Sequence, residues 1–297
     1  MFKLVVVGLV MAVISATHPI SEEMVRSIRA KTSLWQPHET ETNPFANLTK
    51  EQLFARCGTY IVPPNKQYPG SKLVSVPENF DSREQWGKEI HAIRDQQQCG
   101  SCWAFGATEA FSDRYAIASG DKIDVVLSPE ELVSCDTNDY GCNGGYMDMA
   151  WEFLADTGAV TDACFPYTAG GGNAPDCATK CVDGSEMKRF KCVQNSVRQS
   201  ASVDQIKSEI FAHGPVEGAF TVYTDFFNYQ SGVYSPTTSD VAGGHAIKIL
   251  GWGVENGTNY WLCANSWGPS WGMSGFFKIK QGECGIEDQV FSCDPQL

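Results

Sequence analysis

This 297-residue sequence has no apolar run long enough to cross a lipid bilayer: the run over residues 4–14 is too short, and no later stretch is long enough either. Positive charge is also scarce, since 22 Lys and Arg residues face 35 Asp and Glu residues. Residues 76–297 alone carry fourteen basic and thirty acidic side chains, a formal charge of −16 that disfavours binding to nucleic acid or anionic membranes. Residues 17–75 carry seven basic and five acidic side chains. Either electrostatic attraction holds this slightly basic segment on the acidic body, or its near-balance of charge is a coincidence.

Cysteine, by contrast, is abundant. Twelve cysteines are too many for a chain of this size in a reducing cytosol, and they favour a disulfide framework formed in an oxidising compartment. The N-terminus agrees, because Lys3 precedes an apolar run over residues 4–14 that ends in small residues up to Ala16. This pattern predicts a signal peptide over residues 1–16 and a chain bound for a lysosome-like vesicle or the outside of the cell.

The rest of the chain divides at a stretch rich in proline and glycine, residues 60–77. No helix can continue through such a stretch, so an extended, protease-accessible linker is predicted there. We therefore predict a leader over residues 17–75 and a separate body over residues 76–297.

Helical patterns precede strand patterns within these parts. Apolar periodicity and capping residues predict helices over residues 18–35, 49–57, 101–119 and 147–157. Ser21 is the expected N-cap of the first, the second starts at Thr49, and a further helix starts at Ser128. Alternating and β-branched runs predict strands over residues 216–223, 245–253, 259–265 and 275–280. Helices followed by strands favour an α+β fold with two lobes around a shared cleft.

One cysteine has the setting of a nucleophile. Cys102 follows Gly100 at the first turn of a long predicted helix, where the helix dipole favours the thiolate and lowers the pKa of the thiol. With Cys99 it also forms a C-x-x-C pair, which leaves a redox pair, or a zinc site with Cys177 and Cys181, as alternatives. The oxidising compartment argues against zinc, and the lack of a strand directly before the pair argues against redox chemistry.

A thiolate protease also needs a base, and the sequence has only five histidines. His18 and His38 lie in the leader, His213 precedes a Gly-Pro pair at a predicted helix end, and His91 has the setting of a lone surface residue. The remaining one, His245, follows two glycines that permit close approach of a substrate backbone.

Two further residues complete this constellation. The carbonyl of Asn265 can accept a hydrogen bond from one ring N–H of His245, and Trp267 can shield that bond from water. The order Cys102, His245, Asn265 thus predicts a nucleophile, its base and an orienting amide.

These segments resemble the papain-type cysteine proteases, and the cathepsin B group in particular. The resemblance covers essentially the whole chain, through the motifs HPIS, CGT, FDSREQW, GPVEGAF and GWGVENGT, which begin at residues 18, 57, 80, 214 and 251. It implies a papain-like α+β fold with a helical lobe and a β-barrel-like lobe, preceded by an inhibitory propeptide.

The resemblance also implies roles for individual residues. Gln96 would form the oxyanion hole with the N–H of Cys102. The neutral Gln289 stands where cathepsin B has a carboxylate at the floor of its second subsite, which implies a preference for apolar side chains over Arg there. The implied substrate-binding residues are Gly144, Gly145, Tyr146, Met147, Ala219, Gly244, Ala246, Trp267 and Gln289.

The sequence departs from the family at two places. Position 97 is Gln where the family usually has Gly, so Gln97 is strained if its backbone needs a positive φ. The loop after Cys164-Phe-Pro-Tyr is only nine residues long, residues 168–176, and lacks the two histidines with which cathepsin B binds a substrate's C-terminus. The disulfides that the resemblance implies are Cys99–Cys142, Cys135–Cys177 and Cys164–Cys181, with Cys192–Cys293 as a further candidate and Cys57, Cys263 and Cys284 left over.

We therefore expect a zymogen of a cysteine endopeptidase that has little dipeptidyl carboxypeptidase activity. It should need no metal or organic cofactor, act on proteins or peptides, be inhibited by its own propeptide, and be a monomer when mature. The alternatives are an inactive, disulfide-rich binding homologue and a disulfide oxidoreductase that uses Cys99 and Cys102.

Overall fold

The computed structural model describes residues 18–297, so the predicted signal peptide lies outside the described residues. The described part of the leader contains the α-helices α1 (Glu22–Lys31) and α2 (Lys50–Phe54), the strand β1 (Trp35–Pro37) and a 3₁₀ turn over Thr40–Thr42. Ser21 caps α1 by accepting the N–H of Met24, and Thr49 caps α2 in a reciprocal capping box with Gln52. Both predicted helix starts are thus confirmed, although both helices are shorter than predicted.

A helical lobe follows the linker. Its elements are β2 (Phe80–Asp81), α3 (Ser82–Trp86), α4 (Cys102–Ser119), α5 (Pro129–Cys135) and α6 (Met147–Asp156). The central helix α4 is buried on all sides over residues 102–116, which explains why it is apolar around most of its circumference. It ends at Gly120 in the left-handed conformation, and Ser128 caps α5 by accepting the N–H of Glu131.

The second lobe is built mainly from strands. Its elements are β3 (Arg198–Gln199), α7 (Val203–His213), β4 (Val216–Tyr223), β5 (Tyr229–Tyr234), β6 (Val241–Glu255), β7 (Thr258–Ala264), β8 (Phe276–Lys280) and β9 (Val290–Ser292). Among the described strands the order is β1-β5-β8-β7-β6-β4-β9-β3, with β2 on β6; β5 and β8 pair in parallel, and the other neighbours are antiparallel. The leader strand β1 therefore extends the sheet of the second lobe.

A buried polar contact joins the two lobes. Lys248 of β6 donates to Asp113 of α4 at 2.7 Å, and both side chains are inaccessible to solvent. His91 bonds the same carboxylate at 2.7 Å and Asp124 at 2.9 Å, so the sequence-based description of His91 as a lone surface residue is wrong. Sequence spacing gave no sign of this contact, because the three chain segments meet only in the folded structure.

Covalent links reinforce the helical lobe. The structure contains the disulfides Cys99–Cys142, Cys135–Cys177, Cys164–Cys181 and Cys192–Cys293. Cys99 is therefore not free to form a redox pair with Cys102, and Cys177 and Cys181 are not free to bind zinc. Within residues 18–297, no helix is both long and apolar enough to cross a membrane.

Candidate active site

Cys102 lies at the start of α4, in the cleft between the lobes, and it is fully buried. The leader covers it directly: the hydroxyl of Thr59 lies 3.0 Å from the sulfur, and the N–H of Gly58 donates to the sulfur at 3.3 Å. The N–H of Thr59 also donates to the carbonyl of Gly244 at 3.0 Å. One leader residue thus bridges the thiol and the strand that carries His245.

His245 lies on β6 with its ring held between two partners. Its Nε2 is 2.7 Å from the side-chain oxygen of Asn265, and the ring of Trp267 packs 4.7 Å from the imidazole ring. The oxygen of Asn265 is held in turn by the N–H of Ser266 at 2.8 Å. Because Nε2 is engaged, Nδ1 is the nitrogen that remains for proton exchange with a thiol.

Gln96 is also buried and oriented from both ends of its amide. Its oxygen accepts from the hydroxyl of Ser266 at 2.8 Å, which turns the NH₂ group toward the cleft. That NH₂ group donates to the carbonyl of leader residue Arg56 at 3.0 Å and to the carbonyl of Cys99 at 2.8 Å. An NH₂ group held in this way can donate a hydrogen bond to an oxyanion. In the closed form it donates to the leader carbonyl instead.

Burial sets the protonation state of the closed site. It raises the pKa of the Cys102 thiol, although the hydroxyl of Thr59 and the N–H groups of Ala246 and Gly58 act in the opposite direction. Burial also lowers the pKa of His245 to about 4. Thiol and imidazole are therefore both neutral under the leader. The lowered thiol pKa that the helix dipole predicts is overridden here, because the leader removes water from the sulfur.

The leader also occupies the cleft walls assigned to substrate. The N–H of Tyr60 donates to the carbonyl of Gly145, and the N–H of Gly145 donates to the carbonyl of Gly58, both at 2.9 Å. The hydroxyl of Tyr60 donates to the carbonyl of Asn143 at 2.8 Å, and its ring packs 5.0 Å from that of Tyr146. Gly144 lies in the same turn, against the ring of Tyr60.

An apolar pocket beside Gly145 receives the next leader residue. Ile61 packs against the buried cluster that contains Met147, Ala219 and Ala246, and it lies against Gly244. A Cβ on Gly244 would lie only 2.1 Å from the carbonyl oxygen of Thr59, so a side chain there would prevent this approach.

Gln289, which directly precedes β9, lies at the same pocket. Its side-chain NH₂ group donates to the carbonyl of leader residue Val62. Neighbouring carboxylates point elsewhere: Glu287 accepts from the indole of Trp261 at 2.7 Å, and Asp288 is exposed. The nearby Glu217 is fully buried, and burial raises its pKa well above the usual range, so it stays neutral.

The comparisons with known proteins agree with this geometry. The model of the papain family cysteine proteases matches residues 76–293. The chain belongs to the papain family of cysteine proteases. Cathepsin B-like cysteine proteinase 4 of Caenorhabditis elegans is 40% identical to the protease, over 99% of this chain and 97% of the relative. Cathepsin B-like cysteine proteinase 5 of the same organism is 38% identical, over 93% of this chain and 90% of the relative.

Solved structures of precursor forms are similar as well. ProCathepsin B S9 from Trypanosoma congolense superposes with a TM-score of 0.87 at 30% identity, covering 94% of this chain and 99% of that one. Digestive procathepsin L2 from Tenebrio molitor gives a TM-score of 0.74 at 29% identity, covering 93% and 88%. The protease is thus cathepsin B-like, with the papain-like α+β fold that the resemblance implied.

The sequence analysis did not identify Ser266 as a site residue, but it did predict a strained backbone at Gln97. Ser266, which orients both Gln96 and Asn265, could have been suspected from its place inside the Asn-Ser-Trp segment. Gln97 has a φ of +55°, so the predicted strain is present. The N–H of Gln97 donates to the carboxylate of Asp95 at 2.8 Å, which stabilises this turn.

Proposed function

We propose that this chain is the zymogen of a cysteine endopeptidase of the secretory pathway, destined for a lysosome-like vesicle or for secretion. The observation that carries the proposal is the contact of Thr59 with the sulfur of Cys102, beside a His245–Asn265 pair. An enzyme that must be kept inactive until it reaches its compartment needs such a cover, whereas an inactive binding homologue would not need one.

The proposed reaction is acyl transfer to Cys102. With the leader gone, water returns to the cleft, the thiol passes its proton to Nδ1 of His245, and the thiolate attacks the scissile carbonyl. The side-chain NH₂ of Gln96 and the backbone N–H of Cys102 stabilise the oxyanion. His245 then gives its proton to the leaving amine, and a water molecule, activated by the same imidazole, releases the acyl group. Asn265 keeps the ring oriented throughout. No step requires a metal or an organic cofactor.

We further propose that residues 1–16 are removed on secretion, that residues 17–75 are the inhibitor, and that cleavage before Val76 yields the mature enzyme, a monomer. The leader fills the cleft on both sides of the sulfur, through Arg56 at the NH₂ group of Gln96 and Tyr60 at Gly145. A peptide substrate needs these same groups, so leader and substrate compete for one site.

The enzyme is expected to cut inside chains and to remove C-terminal dipeptides poorly. The short loop over residues 168–176 is folded back on the body: the N–H of Gln98 donates to the carbonyl of Gly170 at 2.9 Å. The loop contains no histidine or basic residue that could bind a substrate carboxylate. We expect kcat/KM for an internal bond to exceed that for a matched dipeptide-releasing substrate at least about tenfold, since a charge-assisted contact is missing. Comparable rates on the two peptides would contradict this part of the proposal.

The second subsite is expected to prefer Leu over Arg two residues before the cut. Its walls are apolar, Gln289 carries no charge, Glu287 is bound to Trp261, and Glu217 is neutral. A buried guanidinium would therefore lack a counter-charge, and we expect Leu to be preferred by about tenfold in kcat/KM. Two peptides that differ only at this position provide the measurement.

Variants at the floor of this subsite supply the control. Gln289→Glu should raise the ratio of Arg to Leu, and Gln289→Leu should lower it. If Arg is preferred by the unmodified enzyme and Gln289→Glu changes nothing, the floor has been assigned to the wrong residue.

A further inference from the structure

Asp95 lies at the end of the cleft away from the apolar subsite. It directly precedes Gln96 and forms an antiparallel bridge with Trp267, and the N–H of Gly268 donates to the carbonyl of Arg94 at 3.0 Å. The leader runs along the cleft past the sulfur of Cys102. On one side of the sulfur Arg56 contacts Asp95, and on the other Ile61 lies in the apolar pocket. Since the apolar pocket takes the side chain two residues before the cut, Asp95, on the other side of the sulfur, lies where the residues after the cut must bind.

In the closed form Asp95 already binds a cation. The guanidinium of Arg56 is buried and lies 3.3 Å from the Oδ1 atom of Asp95. The ring of Phe45 covers that guanidinium at 4.6 Å, and Phe45 in turn packs edge-on against Trp267 at 5.7 Å. Phe45 and Arg56 both leave with the leader. The carboxylate of Asp95 and the indole of Trp267 then remain, and together they fit the charged head and the apolar stem of a basic side chain.

Nothing in the body competes for this carboxylate once the leader leaves. Within residues 18–297, the contact with Arg56 is the one ion pair that Asp95 forms. The loop over residues 168–176 has no basic residue, and the body carries a formal charge of −16. Oδ1 also accepts the N–H of Gln97, so the carboxylate keeps its orientation when Arg56 departs. Its side chain is 42% exposed even under the leader, so a substrate can reach it.

We propose that Asp95 selects substrates with Arg or Lys at the first or second residue after the cut. This proposal rests on the proposed endopeptidase function. Because the carboxylate is partly exposed, we expect a preference of about fivefold in kcat/KM for Arg over the neutral isostere citrulline. The preference should shrink as salt is added, since salt screens an exposed pair of charges.

The test uses the activated enzyme and quenched peptides that are identical except for Arg, citrulline or Leu at those two positions. The measured quantity is the ratio of kcat/KM for Arg to that for citrulline, in which the concentration of active enzyme cancels. Asp95→Asn keeps an oxygen for the N–H of Gln97 and should bring the ratio close to 1. Asp176→Asn, a control in the exposed part of the 168–176 loop, should leave the ratio unchanged.

A ratio close to 1 in the unmodified enzyme, or a ratio that survives Asp95→Asn, would overturn the assignment of Asp95. Absence of turnover of every peptide would instead contradict the proposed function. Retention of part of the preference in Asp95→Glu would support a role of the charge itself.

Discussion

Cys102→Ser is expected to lower kcat/KM for peptide hydrolysis at least about a thousandfold, with little change in the free energy of unfolding. A hydroxyl in place of the thiol is a far weaker nucleophile, because it cannot give up its proton to an imidazole as a thiol does. His245→Ala should lower the rate by a similar factor, since the same proton transfer is lost. Steady-state kinetics on the activated variants, together with thermal unfolding, measures both effects.

Asn265→Ala tests how much of the rate depends on the orientation of the His245 ring rather than on proton transfer. Asn265 fixes the ring of His245 through a 2.7 Å hydrogen bond but transfers no proton itself. Its loss should therefore lower kcat/KM less than the loss of Cys102, by about ten- to a hundredfold. A loss as severe as that of Cys102→Ser would show that Asn265 has another role. Full activity of Cys102→Ser would remove the basis of the mechanism.

The second large effect is expected from the leader. The precursor should hydrolyse a small peptide at least about a hundredfold more slowly than the mature enzyme, because the leader and the substrate compete for the groups around Cys102. Acid should release the leader. The closed form buries His245 and lowers its pKa to about 4, and burial also lowers the pKa of His38. The usual pKa of imidazole is about 6.5.

The sign of the pH effect follows from these shifts. A base whose pKa is depressed in the closed form binds a proton more readily in the open form. The closed form therefore has its full stability above the ordinary pKa of the base and loses stability as the pH falls toward the depressed value. The closed form should therefore weaken between about pH 6.5 and pH 4. Within residues 18–297, two ion pairs join the leader to the body, Arg56 with Asp95 and Lys66 with Glu152. Because these pairs are few, we expect the two buried histidines to cause more of the acid release than general protonation of the acidic body.

His38 is the leader group on which this release should depend. Its backbone N–H donates to the carbonyl of Asn228 at 2.7 Å, but both ring nitrogens are buried without a hydrogen bond in the described part of the chain. The charged groups on the adjoining segments are engaged elsewhere: Arg29 pairs with Glu39, and Asp225 binds Tyr234 at 2.6 Å. An imidazolium at His38 would therefore be a buried charge without a partner.

Leader release can be measured in a precursor that cannot cut itself, Cys102→Ala. In that background, His38→Phe should lower the pH midpoint of release by roughly half a unit, because one proton-linked contribution is gone. His213→Gln is the control, since His213 is exposed at the C-terminal end of α7 and forms no side-chain hydrogen bond with the leader within residues 18–297. An unchanged midpoint in His38→Phe, with release still occurring near pH 5, would assign the pH response to other groups.

The local features of the fold were predictable because each depends on neighbouring residues. Ser21, Thr49 and Ser128 cap helices where the sequence placed helix starts. The four predicted strands correspond to β4, β6, β7 and β8, with ends within a few residues of those predicted. The strands β1, β2, β3, β5 and β9 were not predicted. Four of them have only two or three residues and exist only through pairing with a distant partner, and β5 is held by parallel pairing with the distant β8.

The same division holds for the site. The histidine, asparagine and glutamine could be found because each lies in a short, distinctive segment. The contacts that decide the state of the site could not: Arg56 reaches Asp95 across 39 residues, and Thr59 reaches Cys102 across 43. A helix dipole predicts a low thiol pKa, and only the folded structure reveals that the leader's desolvation outweighs it.

The most direct test of the account is alkylation by a thiol-directed epoxide, followed by mass-spectrometric mapping of the modified cysteine. In the mature enzyme the account predicts selective modification of Cys102, a large loss of that reactivity in His245→Ala, and protection of Cys102 in the intact precursor near neutral pH. Cys263 and Cys284, which are also free thiols, should remain unmodified because burial raises their pKa values. Equal reactivity of Cys102 in precursor and mature enzyme, or reactivity that does not depend on His245, would contradict the account.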